Sequence, residues 1–122
     1  MTPSQVMSAY KAVNELANCA FPYSVTRQVH ALKKKLTDEF NTVLEAEKTL
    51  VAKHHGTVIE NGSYHFETVE AATVFHKEYQ DFLNQESDIN LPTVDVSRCG
   101  DAVIISATSM DALEGLVIFE EG

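Results

Sequence analysis

The chain has 122 residues, 44% of them hydrophobic, and a formal net charge of −9. That is one domain's length with enough apolar content for a core, which excludes wholesale disorder. No apolar run approaches the ~18 residues that cross a bilayer, and an acidic chain repels phosphate backbones, so no membrane and no direct nucleic-acid contact is expected.

The charge is unevenly placed. Residues 1–54 carry seven Lys/Arg against five Asp/Glu, whereas residues 55–122 carry two against thirteen. An acidic half of this kind suits a protein partner with a basic surface; the plainer use is a solvated face. The start, MTPSQVMSAYKAVNELAN, lacks the basic opening and unbroken apolar stretch of a secretion signal, which predicts a soluble, cytoplasmic protein. Cys19 and Cys99 have no CxxC spacing and read as free thiols.

In chain order, residues 1–20 read as a first helix. Thr2 can cap it, Pro3 suits the first turn and Gln5 completes a capping box. Its expected apolar stripe is Val6, Tyr10, Val13 and Ala17, widened by Met7, Leu16 and Ala20. Pro22 disfavours helix at Phe21, and residues 22–56 then form one long helix. Val25, Val29, Leu32, Leu36, Val43, Ala46 and Leu50 follow a seven-residue repeat that Glu39 interrupts. Phe40, Leu44 and Val51 make a second track, so this helix should be covered from two sides over its second half. Lys33, Lys34 and Lys35 fan across it as solvated surface or as an anionic contact. Gly56 is the expected residue at its C-terminal turn.

Residues 57–66 read as a β-hairpin with Asn61-Gly62 as a two-residue turn, pairing Glu60 with Ser63, Ile59 with Tyr64 and Val58 with His65. Residues 67–85 form a return helix with Ala72, Phe75, Tyr79 and Phe82 on one face. Residues 93–106 read as a second β-hairpin, from Thr93–Ser97 and Ala102–Ser106, around a turn at Arg98–Asp101. Residues 108–120 read as a last helix, capped from Thr108, with Met110, Leu113, Leu116 and Val117 buried. The predicted fold is one mainly helical α+β domain over 1–122: an antiparallel long-helix hairpin with a β-hairpin at its tip, plus a small C-terminal β-hairpin and short helix.

No catalytic constellation emerges. His54, His55, His65 and His76 lack the spacing of a metal site, and neither cysteine has a nucleophile's local signature. There is no GxSxG, GxxxxGK[ST] or GxGxxG, so neither a cofactor nor a metal is expected. Tyr64, Phe66, Phe75, Tyr79 and Phe82 crowd the tip and return helix. They read either as packing on the long helix or, for Tyr64, His65 and Phe66, as an exposed contact patch.

The layout resembles that of a group of small tailed-phage and prophage proteins of uncharacterised function. The likeness rests on FPYSVTRQVHALKKKL opening the long helix, DFLNQESDINLPTVDVS leaving the return helix, and ATSMDALEGLVIFEE closing the chain. It covers most of the sequence except the tip hairpin and the Cys99 turn, and it implies a phage origin with no defined activity. The expectation is therefore a non-enzymatic phage protein acting by protein–protein contact in the host cytoplasm, inhibiting a host defence or nucleic-acid-handling protein. The residues expected to meet the partner are Tyr64, His65, Phe66, Glu67, Glu70 and Glu78. The alternatives are a virion or assembly component forming a homo-oligomer through its long helix, and a small metal- or ligand-dependent enzyme.

Overall fold

A computed structural model describes residues 1–60 and 62–119. Asn61, half of the expected turn, and the acidic tail from Glu120 lie outside them. The described elements are α1 (Pro3–Leu16), α2 (Tyr23–Lys53), β1 (Thr57–Val58), β2 (Tyr64–His65), α3 (Val69–Leu83), β3 (Val94–Asp95), a 3-10 turn (Gly100–Ala102), α4 (Ala107–Ala112) and β4 (Val117–Ile118).

The expected capping box opens α1: Gln5 N–H donates to Thr2 Oγ1 at 3.2 Å, and Thr2 N–H donates to Gln5 Oε1 at 2.9 Å. The buried face is rotated from the expected stripe. Val6, Ala9, Ala12, Val13 and Leu16 are inside, while Ala17 is exposed. Ala9 and Ala12 are fully inside the core, and Tyr10 sits at the flank, stacked on Phe40 with ring centroids 4.1 Å apart.

The 31-residue α2 is the long helix read from the sequence, trimmed at each end. Val29, Leu32 and Leu36 bury its first half in one aliphatic core with α1, Val94, Val96, Leu113 and Val117. Val43 and Val51 carry the buried face on toward the other end.

The C-terminal third differs from its expected layout. Val94 and Val96 are buried around an exposed Asp95, as the alternation predicts. However, β3 does not form a hairpin with residues 102–106. It pairs in parallel with β4, Val94 opposite Val117 and Asp95 opposite Ile118. The long connection needed between parallel strands is supplied by the 3-10 turn and α4. Residues 103–106 instead run past the end of α1, where Ile104 N–H faces the Cys19 sulfur at 3.4 Å and Ser106 N–H donates to the Glu15 carboxylate.

The last helix is likewise shorter than the expected 108–120. Ser106, not Thr108, caps α4 and accepts from Ser109 N–H at 3.2 Å. The helix ends at Ala112, Gly115 takes φ +85°, and the chain turns into β4. Gly is the residue that enters this left-handed conformation without a Cβ clash. As a consequence Met110 is exposed rather than buried, and Leu113 and Val117 reach the core from a turn and a strand. Glu15 fastens α1 to α4 by accepting from Ser106 N–H and from the hydroxyls of Ser109 and Ser106. These bonds, led by the one from Ser109, hold the Glu15 carboxyl below its ordinary pKa.

Candidate functional site

The segment predicted to form the tip begins where α2 stops. His55 N–H donates to Ala52 C=O at 3.1 Å and Gly56 N–H to Val51 C=O at 2.9 Å, the two bonds of a Schellman motif. The left-handed residue of that motif is His55, at φ 56°, and not the glycine. Gly56 is required for a different reason. A Cβ there would lie 2.6 Å from Phe66 Cε1 and 2.9 Å from Val51 Cγ1, so the strand leaves the helix only because nothing projects.

β1 and β2 pair antiparallel, with Thr57 opposite His65 and Val58 opposite Tyr64. That register is one residue off the expected one. The bond from Ile59 N–H to Ser63 C=O at 2.9 Å encloses a three-residue loop, closed by Gly62 N–H donating to Ile59 C=O. Gly62, at φ +83°, takes the left-handed position that ends such a loop. Thr68 then caps α3 by accepting from Ala71 N–H at 3.0 Å.

Phe75 is the centre of this end of the molecule. It is 2% exposed, and no other residue of α3 is buried. Rings surround it: Phe66 at 4.8 Å between centroids, Tyr79 at 5.6 Å, Tyr64 at 5.8 Å and His54 at 6.3 Å. Burial raises the Tyr79 and Tyr64 phenols above their ordinary pKa, and the Glu47 carboxylate adds to both shifts. Both hydroxyls therefore stay protonated and can donate to Glu47. Glu78 closes the cluster, 3.0 Å from His54 Nε2 and 3.2 Å from Lys53 Nζ. Hydrogen bonds from these two side chains, His54 first, pull its carboxyl below the ordinary value.

The six sequence-derived contact residues thus fall into two groups. Tyr64, Phe66 and Glu78 are half-buried in the cluster around Phe75, whereas His65, Glu67 and Glu70 are exposed. Glu60 is exposed at the loop, and Val58 and Val69, 67% and 85% exposed, add apolar surface at the same end. Glu47 was not singled out by sequence reasoning, because one Glu among several on a long helix carries no local signal. Glu39 finds its explanation here too. It is half-buried on the wall of a cleft of about 270 Å³ that Val6, Val43, Ala46, Phe82 and Ile89 also line.

Among the described residues, no group of three or more His, Cys, Asp or Glu is placed to hold a metal ion, and Cys19 and Cys99 are free thiols. None of the described helices is long and apolar enough to cross a membrane. No protein-family description, curated protein or solved structure matches this chain.

Proposed function

We propose that this is a non-enzymatic, phage-encoded binding protein whose acidic tip engages a basic surface on a host protein in the cytoplasm. In this reading α2 and α3 act as an antiparallel helical hairpin that holds the tip out. Its support is the order of contacts, in which Glu78 meets Lys53 and His54 while Phe82 lies beside Val43 and Ala46.

The observation that carries the functional reading is the division among the tip carboxylates. Glu78 is engaged within the chain, while Glu67 and Glu70 are presented to solvent beside exposed Val58 and Val69. Apolar surface ringed by charge is the usual composition of a contact patch, and the charges set on-rate and partner choice. The aromatic rings serve this surface indirectly, by fixing the hairpin and α3 through Phe75.

The test is recovery of partners from host lysate with the wild-type chain and with Glu67→Lys/Glu70→Lys, followed by mass spectrometry. A partner with a basic surface should bind the wild type and fall about tenfold or more with the variant. Equal recovery by both proteins contradicts the proposal.

A further inference from the structure

The first half of α2 carries charge of the opposite sign. Residues 1–37 contain five Lys/Arg and one carboxylate, Glu15, whereas residues 38–122 contain four against seventeen. With Val29, Leu32 and Leu36 turned into the core, Arg27, Ala31 and Lys34 form an outward stripe at helical spacing. Shallow depressions along this stripe share Arg27, Ala31, Lys34 and Pro92, and Lys35 stands on their rim. Ala31 is the low point because its side chain ends at a methyl group between two long cations.

Among the described residues, none of the ion pairs reaches Arg27, Lys33, Lys34 or Lys35. No described carboxylate of the acidic half is therefore paired with them. Arg27 is also oriented in advance, with its guanidinium 6.0 Å from the Tyr23 ring centroid, and Tyr23 is 78% exposed. A guanidinium held over an aromatic face keeps its N–H fork for a carboxylate.

We propose that this trough is a docking site for an acidic segment of a partner protein. Arg27 takes one carboxylate, Lys34 and Lys35 take others about two helical turns away, roughly 10 Å along the axis, and the segment's backbone passes over Ala31 beside Pro92. A peptide fits better than a nucleic acid. The trough is short, Asp38 closes one end of it, and a polyphosphate running past it would meet the large acid excess of the remaining chain. This surface is separate from the tip and does not depend on the tip's function.

The experiment is fluorescence anisotropy of a fluorescein-labelled oligo-glutamate peptide titrated with the full chain. Saturable binding is expected at about 20 mM salt, weakening at least tenfold by about 300 mM, as the screening length falls from about 20 Å to about 6 Å. Arg27→Glu/Lys34→Glu should abolish it with an unchanged circular dichroism spectrum. Lys48→Glu/Lys77→Glu makes the same change in net charge elsewhere and should bind as the wild type does. No binding of the peptide, or equal loss in both double variants, overturns the proposal. Tighter binding of a single-stranded oligonucleotide through Arg27 and Lys34 overturns it in favour of nucleic acid. Self-association removed by Arg27→Glu/Lys34→Glu assigns the trough to a second copy and equally overturns it.

Discussion

The two ends of α2 are buried in different ways. At its first half, Leu32 and Leu36 share an aliphatic core with residues from α1, β3, β4 and the turn after α4. Beyond its midpoint the covering is thin, and α3 commits a single buried side chain, Phe75, to hold 15 residues of helix in place. Many small contacts from several elements make one cooperative unit, whereas one ring with polar fasteners makes a unit that can open alone. The aliphatic core around Leu32 and Leu36 is thus the firmer unit and the cluster around Phe75 the more lightly held one, and the exposed carboxylates proposed to meet a partner belong to the second.

The largest effects should come from emptying each centre. Leu32→Ala is expected to cost about 2–5 kcal/mol and to lower the unfolding transition of the whole chain. Phe75→Ala should cost about 3–5 kcal/mol locally, releasing α3 and the hairpin while the base keeps its transition. Thermal melts followed by helix signal, and by tyrosine fluorescence in a Tyr10→Phe/Tyr23→Phe background where only Tyr64 and Tyr79 beside Phe75 report, would distinguish the two; a single shared transition in both variants would remove the distinction. Next in size is Gly56→Ala, which forces a methyl group against Phe66 and Val51 and should destabilise the tip by about 1–3 kcal/mol. The opposite sign is expected at His55. Replacement by Gly removes a side chain from a left-handed residue and should stabilise the end of α2 by about 0.5–1 kcal/mol, measured by denaturant midpoint.

The smallest effects concern two partly exposed carboxylates, Glu15 at the base and Glu78 at the tip. Both have a folded-state pKa below the ordinary value of 4.5. Each therefore adds stability that is present above pH 4.5 and is lost as pH falls through the lowered value. Glu15→Gln should flatten the acid dependence of the global transition, and Glu78→Gln that of the tip alone. Melts across the acid range would check both.

How much of this could be read from the chain depends on the range of the interaction responsible. Local chemistry was legible: the Thr2–Gln5 box, the long helix after Pro22 and the burial of Val94 and Val96 around Asp95 all follow from neighbours a few residues apart. The β1–β2 hairpin follows from the Asn61-Gly62 signal, but its register differs by one residue from the expected one because Gly62 serves a three-residue loop as readily as a two-residue turn. The second sheet departs from the expected hairpin because Val103-Ile104-Ile105 has the composition of a strand while Val117-Ile118 takes the pairing. That choice is made by packing across some twenty residues. Gly115 was the available sign that the last helix stops early. Of the candidate site, the acidic and aromatic content was visible, but not which residues face inward. Phe75 draws Tyr64 and Phe66 toward itself, Glu78 is taken by His54 and Lys53, and the Glu15 connection spans more than ninety residues. No local pattern encodes those partners.

Native-state hydrogen exchange on the wild type and on Phe75→Ala tests the division between base and tip most directly. In the wild type, amides of Val69–Leu83 should exchange through openings of lower free energy than amides around Leu32 and Leu36. In Phe75→Ala, protection of α3 should collapse while that of Leu32 and Leu36 is retained. Equal loss of protection along the whole of α2 and α3 would show one cooperative unit and contradict the division.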